Sequence, residues 1–592
     1  MMPDQQPSAT AVALTLVDEL AAQGVTDVVV SPGSRSAPLS LAVAAHEGLR
    51  MHVRVDERSA AFLALGLARG SGRPAAIVCS SGTATANYHP AVMEADAAGV
   101  GVVVLTADRP PELRDIGANQ TATQQHLYGG AVRWFHEVSA GGDRPGVYLR
   151  SVVARAVAHA VGGVAPPGPV HLNVPLREPL LDDTATALPG HPAGAPVATS
   201  RSARSGPASP MGGLGPDRAR SRAGDSTSAG SARWLPDPRE VLDGRRGLVI
   251  AGEGAVGGDD VLDLAAALGW PVIAEPTSGL RLREPAVRTG HWLAASEAFV
   301  SAHRPDVVVQ LGRPVLSRAV AAIVAVCDDV IVCDPLERGW DPQRNARLVL
   351  PVAFADWVAP MVAGSDPVDG WLDAWLDADR RAGAVVDRLL EDSDEPTELG
   401  VVRDLARLMP ANSVLTVASS LAIRHLNETM PVREGLRVVG NRGVSGIDGF
   451  VSTAVGVALA HDGPSAALAG DLSMVHDMTG LVIGPDEPVP ALPIVVINND
   501  GGGIFDLLPY GSQLAAATFR RLFATPHGVP LGGMAITTGA GYLGLDEMAD
   551  LPGALDDAWA NPGITIIEVT TDTPTETARY HRIREAVAAE LG

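Results

Sequence analysis

Short runs of Val, Ile, Leu and Ala that end abruptly in small or polar turns recur along this chain, and they constrain its fold more than any other feature. In about the first 180 residues the runs are Val28–Val30, Ala75–Cys79, Val100–Thr106 and Pro169–Val174, with helical patterns between them. That alternation predicts an α/β block with a parallel sheet. The first three runs lead into Ser31-Pro32-Gly33-Ser34-Arg35, Ser80-Ser81-Gly82-Thr83 and Ala107-Asp108-Arg109-Pro110-Pro111. Open parallel sheets bind ligands beyond the carboxyl ends of their strands, so these turns are candidate walls of a site.

The pattern repeats twice more. A second block has strand candidates Gly247–Ala251, Pro271–Ala274, Asp306–Leu311 and Asp329–Cys333, and a third has Ser413–Val417, Ala466–Ala469, Pro493–Ile497 and Ile564–Val569. Between the first two lies a stretch rich in Ser, Gly, Ala, Pro and Arg that reads as a flexible insert. A helical stretch rich in Trp, Asp and Arg, Trp371–Glu391, precedes the third. The expected division is 1–187, an insert over 188–236, a Rossmann-like middle block over 237–365, a helical linker over 366–397, and 398–592. Gly252-Glu253-Gly254 lacks the third glycine of a dinucleotide fingerprint and reads as a turn.

Composition removes several kinds of chemistry. The 45 basic residues are all arginine, so there is no lysine for a P-loop or for Schiff-base catalysis. A net charge of -23 argues against nucleic acid as a partner. No apolar stretch is long enough to span a bilayer. Met1–Ala9 lacks the pattern of a secretory signal, so a cytoplasmic location is expected. Cys79, Cys327 and Cys333 lie in apolar runs and read as core residues.

In the third block, Ala466–Ala469 runs into Gly470-Asp471-Leu472-Ser473, and Pro493–Ile497 runs into Asn498-Asn499-Asp500-Gly501-Gly502-Gly503. A carboxylate, an amide and an open backbone carbonyl are hard oxygen ligands suited to Mg²⁺, whose other positions diphosphate oxygens would fill. A helix beginning near Ser473 would aim N–H groups at the same anion. Each motif alone also makes an ordinary turn. Together, with 27 residues between Asp471 and Asn499, they match the thiamine diphosphate signature. That cofactor's pyrimidine needs a carboxyl partner from another domain, for which Glu57 in Asp56-Glu57-Arg58 is the candidate. Glu57 would equally suit the first turn of a helix.

These residues resemble the menaquinone-pathway family of 2-succinyl-5-enolpyruvyl-6-hydroxy-3-cyclohexene-1-carboxylate (SEPHCHC) synthases, the MenD family. The resemblance rests on Ser31–Ser36, Asp56–Arg58, Ser80–Ala84, Thr106–Leu113 and Gly117–Gln120. It continues through Ser419–Leu421 with Arg424, Asn441–Gly449 and Asn498–Phe505, and in the middle block through Gly312 with Arg318. It implies three α/β domains with central parallel sheets, of Rossmann-like and thiamine diphosphate-binding fold. It further implies thiamine diphosphate gripped by the first and last domains of different subunits, hence a homodimer or homotetramer.

By the same resemblance, Asp471, Asn499 and the Gly501 carbonyl hold Mg²⁺ (Mn²⁺ is an alternative), and Ser420, Leu472 and Ser473 assist with diphosphate. Ile447 supports the cofactor, Ile504 touches it, and Glu57 reaches its pyrimidine as the catalytic group. The implied reaction decarboxylates 2-oxoglutarate and adds the succinyl-semialdehyde carbanion 1,4 to isochorismate. Arg35, Arg109, Arg318, Arg424 and Arg442 would supply positive field for these dianions, in two-pronged pairs. Ser34, Asn119 and Gln120 would orient them, and Phe505 and Leu508, with Ile504, would shield the reacting carbon. An acetolactate synthase-like enzyme is the nearest alternative, and a non-catalytic Rossmann-like binding protein is the alternative of another class.

Overall fold

A computed structural model describes residues 7–139, 143–189, 235–362, 367–392 and 395–592. The expected insert lies, apart from its ends, outside the described residues. Three six-stranded, wholly parallel sheets carry the fold. The first holds β1 (Asp27–Val30), β2 (Arg50–Val53), β3 (Ala75–Cys79), β4 (Val102–Asp108), β5 (Trp134–Glu137) and β6 (Val170–Pro175). The second holds β7 (Gly247–Ala251), β8 (Val272–Ala274), β9 (Ala286–Val287), β10 (Val307–Leu311), β11 (Val330–Cys333) and β12 (Ala346–Leu350). The third holds β13 (Ser413–Val417), β14 (Leu436–Gly440), β15 (Ser465–Gly470), β16 (Leu492–Asn498), β17 (Gly541–Gly544) and β18 (Ile564–Thr570).

The first and third sheets share one topology, β2-β1-β3-β4-β6-β5 and β14-β13-β15-β16-β18-β17, whereas the second runs β12-β11-β10-β7-β8-β9. The second order is that of a dinucleotide-binding fold, yet its first glycine turn is filled by protein. A Cβ at Gly252 would collide with the backbone of Arg313 and Pro314, and Glu253 bridges to Arg313. The turn is therefore closed to a phosphate.

In the first and third sheets the chain steps outward to β2 or β14 and then crosses back to β3 or β15. That reversal opens a crevice at the carboxyl ends, between β1 and β3 and between β13 and β15. The inner strands are buried on both faces and read as near-continuous apolar runs.

Two large cores hold the blocks together. One joins Val29, Phe62 and Leu63 of the first block to Val417, Phe450 and Leu468 of the third. The other surrounds the second sheet and takes in Trp371 and Trp375 of the helix Trp371–Glu391, with Ile583 and Val587 of the last helix, Thr573–Leu591. The three cysteines are buried. No helix among the described residues is long and apolar enough to cross a membrane.

Candidate functional site

The crevice of the third sheet is built from three strand ends. Gly470 of β15 pairs with Ile497 of β16, so Asp471 and the Asn498-Asn499 segment leave the sheet side by side. The helix Asp471–His476 starts at Asp471 itself, two residues earlier than the sequence suggests. Asp471 is 1% exposed. Its Oδ1 accepts the Leu472 N–H at 2.7 Å, and its Oδ2 accepts the Gly501 N–H at 2.7 Å and faces His527 Nε2 at 3.1 Å. Burial raises its pKa, and these hydrogen bonds only partly offset that. Gly501 has φ +148°, and a Cβ there would collide with the Ala524 carbonyl, so no other residue fits. Its carbonyl accepts the Gly503 N–H at 3.1 Å, which leaves one lone pair free.

Asn499 is the most informative side chain. Its Nδ2 donates to Glu398 Oε1 at 2.9 Å, while its Oδ1 is buried without a hydrogen-bond partner. Buried amide oxygens are rarely left unpaired. One carboxylate, one unpaired amide oxygen and one carbonyl make an oxygen donor set that fits Mg²⁺ and would suit a thiolate-loving metal poorly. Such a site draws on a single acidic residue, in keeping with the lack of any His/Cys/Asp/Glu metal cluster among the described residues.

The turn after β13 supplies the opposite wall. Ser420 sits at φ +73° ahead of the helix Leu421–Thr429, and no side chain caps that helix start. A non-glycine residue in this region is strained and marks functional sites, and free N–H groups at a helix start suit an anion. Arg424 Nη1 donates to the Ser420 carbonyl at 2.7 Å, and Arg442 Nη1 donates to Ser419 Oγ at 3.1 Å. Arg318 begins a helix of the middle block at Ser317 and is exposed. Burial lowers the pKa of Arg424, and the Arg318 charge lowers it further against the pull of Glu428. Burial likewise lowers Arg442, with Glu275 opposing and Arg424 reinforcing the shift. Three predicted arginines are thus gathered around one turn.

The first block holds a separate cationic group. Arg35 is buried, donating to the Leu176 carbonyl at 2.9 Å and to Glu178 Oε1 at 3.1 Å. Arg109 donates to Ser81 Oγ, and burial together with the Arg35 charge lowers its pKa. Gln120, at φ +53°, donates through Nε2 to the Ser81 carbonyl at 2.9 Å, so Ser81 ties two predicted residues together. Ser34 and Asn119 are exposed beside them.

Glu57 opens the helix Glu57–Ser71, capped by Asp56, and is half-buried with the Asn87 amide 3.4 Å away. Its neighbours Arg58 and Ser59 contact His476 and Thr479 of the same chain. No hydrogen bond or ion pair among the described residues joins Glu57, Arg35 or Arg109 to Asp471, Asn499 or Ser420. Ile447, Leu472, Ile504, Phe505 and Leu508 are half-buried, Ser473 is buried, and Phe505 packs edge-on against Phe523.

Three residues with no sequence signal complete the site's surroundings. Glu398 looks like an ordinary first-turn helix acid, and His425 and His527 are isolated histidines. Yet Glu398 holds Asn499, and His527 faces Asp471. His425 lies between Glu398 and Glu428; burial alone would lower its pKa, but the two carboxylates raise it to about 10.

Residues 10–128 match the family described as "Thiamine pyrophosphate enzyme, N-terminal TPP binding domain", and 237–417 match "Middle domain of thiamine pyrophosphate". The chain is 45% identical to a 2-succinyl-5-enolpyruvyl-6-hydroxy-3-cyclohexene-1-carboxylate synthase of Thermobifida fusca (strain YX), across 98% of this chain and 99% of that one. Identically named proteins of Saccharopolyspora erythraea and Bacillus velezensis are 40% and 36% identical, covering 98% and 96% of this chain and 99% and 96% of theirs.

Proposed function

This chain belongs to the SEPHCHC synthase family of thiamine pyrophosphate enzymes, and from that premise we propose that it decarboxylates 2-oxoglutarate and adds the four-carbon unit 1,4 to isochorismate in menaquinone biosynthesis. The observation that carries the reading is buried Asp471 bonded to the Gly501 N–H at the adjoining ends of β15 and β16, where Asn499 also leaves the sheet with its Oδ1 unpaired, beside the arginine-lined turn after β13.

In this reading residues 1–187 bind the pyrimidine, 398–592 bind the diphosphate, and 237–365 form the central domain. Asp471, Asn499 and the Gly501 carbonyl hold Mg²⁺, and Ser420 with the start of the helix Leu421–Thr429, together with Leu472 and Ser473, receives the diphosphate. Bound thiamine diphosphate supplies the electron sink that 2-oxo acid decarboxylation needs. Glu57 of a second copy of the chain would reach the cofactor's pyrimidine and hold a proton there. In the same reading the working enzyme is a homodimer or homotetramer, with its site shared between subunits, in the cytoplasm. Arg318, Arg424 and Arg442 on one side and Arg35 and Arg109 on the other hold substrate carboxylates, whose charge lowers the cost of crowding guanidinium groups together. Ser34, Asn119 and Gln120 orient the substrates. Ile447, Ile504, Phe505 and Leu508 keep water from the reacting carbon.

The test is to mix the protein with Mg²⁺, thiamine diphosphate, 2-oxoglutarate and isochorismate, follow loss of isochorismate, and omit each component in turn. Every omission should abolish the loss. Full activity with pyruvate in place of 2-oxoglutarate would overturn the substrate assignment.

A further inference from the structure

The Asn499 amide has two ends of opposite hydrogen-bonding character, and a carboxylate holds one of them. Nδ2 donates to Glu398 Oε1 at 2.9 Å, and Oδ1 is left buried and unpaired. An ionised carboxylate can only accept, so it retains the NH₂ end and turns the carbonyl away from itself.

The surroundings of Glu398 keep it an acceptor. Thr571 Oγ1 donates to Oε1 at 3.1 Å, and His425 Nε2 lies 3.0 Å from Oε2. His425 Nδ1 lies 3.2 Å from Glu428 Oε2, so both ring nitrogens face carboxylate oxygens, an arrangement that an imidazolium satisfies with its two N–H groups. A buried cation clamped between two acids is costly to build and gives weak net stability.

We infer that Glu398 is a positioning residue, held by His425 and Thr571, that orients the Asn499 amide so that its carbonyl oxygen faces the divalent cation of the strand-end site. The inference rests on the cofactor reading above and adds to it the group that sets the ligand's orientation, as hydrogen-bonded neighbours do for metal ligands generally.

The experiment is a calorimetric titration of Mg²⁺ into the full-length protein at saturating thiamine diphosphate, with wild type, Glu398→Gln, Asn499→Asp and the double variant. In Glu398→Gln the introduced amide can offer either end, so Asn499 loses its fixed orientation and Mg²⁺ affinity should fall about 10-fold or more. Asn499→Asp sets two carboxylates against each other and should also weaken binding. The double variant reverses the polarity of the pair: the amide at 398 donates to the carboxylate at 499, whose other oxygen faces the cation. It should recover most of the lost affinity. Wild-type Mg²⁺ affinity in Glu398→Gln, or a double variant no better than Glu398→Gln, overturns the inference. If Glu398→Gln does not fold, the double variant decides: folded and binding Mg²⁺ supports the inference, folded and not binding overturns it. A wild-type protein that binds neither Mg²⁺ nor thiamine diphosphate would instead sink the cofactor reading itself.

Discussion

Gly66 and Gly456 face each other where the helices Glu57–Ser71 and Phe450–Ala460 cross, and neither position has room for a Cβ. One at Gly66 would strike the Thr453 carbonyl, and one at Gly456 would strike the Leu63 carbonyl. The first and third blocks therefore meet backbone to backbone. The same contact fixes where Glu57, at the head of one helix, and Ile447, just before the other, lie on the assembled surface. Gly66→Val should lower the unfolding free energy by about 1–3 kcal/mol through overpacking. Denaturant unfolding measures it, and an unchanged midpoint would show that the helices separate at no cost.

Glu94 reaches from the first block to a turn of the third. Its carboxylate accepts the N–H groups of Gly443 and Val444 at 2.5 and 2.7 Å, and Arg69 joins it at 3.3 Å. Arg313 of the middle block donates to the Gly443 carbonyl. All three blocks therefore clasp the segment that carries Arg442 and Ile447. Glu94→Gln replaces one acceptor oxygen with a donor facing a backbone N–H, which costs about 1–3 kcal/mol. Stability should fall, and kcat/KM should fall about tenfold as the segment loosens. A stable variant with unaltered kinetics would remove Glu94 from this role.

Glu275 is buried and accepts the Leu316 N–H at 2.6 Å. Burial raises its pKa to about 7; Arg442 opposes that rise, and Glu253 adds to it. Its folded value lies above the ordinary 4.5, so its contribution favours folding below pH 4.5 and is lost as pH rises toward 7. Glu275→Gln keeps an acceptor without the charge. Relative to wild type, the variant should gain up to about 3 kcal/mol between pH 4.5 and 8. Urea unfolding across that range gives the difference, and a flat profile would contradict it.

Glu57 and Asp471 should fail in opposite ways. Glu57→Gln should retain affinity for Mg²⁺–thiamine diphosphate while losing turnover by about 10²–10⁴-fold, the range for a missing proton-transfer group. Asp471→Ala should lose cofactor affinity itself. Calorimetry beside initial rates separates the two, and a Glu57→Gln enzyme of near-normal rate would take Glu57 out of catalysis.

Arg424→Ala removes a guanidinium bonded to the Ser420 carbonyl, at the turn proposed to receive diphosphate and substrate. A charge-assisted contact is worth about 1.5–3 kcal/mol, so the KM of a dianionic substrate should rise at least about tenfold. Normal KM values for both substrates would place this arginine outside the site.

The inner strands of all three sheets can be read from the sequence alone. A parallel strand covered on both faces is mostly apolar, and that demand leaves a run such as Ala75–Cys79 or Gly247–Ala251. The strands without such a signal are the sheet edges: β2, β5, β9, β12, β14 and β17. There one side meets solvent or a loop, so Arg50–Val53 and Ala346–Leu350 mix charged and apolar residues, and Gly541–Gly544 is exposed throughout. That Asp471 and Asn499 leave neighbouring strand ends was likewise legible, because each follows an apolar strand run directly. What tertiary structure alone decided is which side chains those turns meet. Glu94 and Gly443 are 349 residues apart, and Glu398 and Asn499 are 101 apart. A hydrogen bond between such groups leaves no local pattern, because neither residue's neighbours in the chain are constrained by it. It exists only once the sheets have brought the two together and closed them off from water.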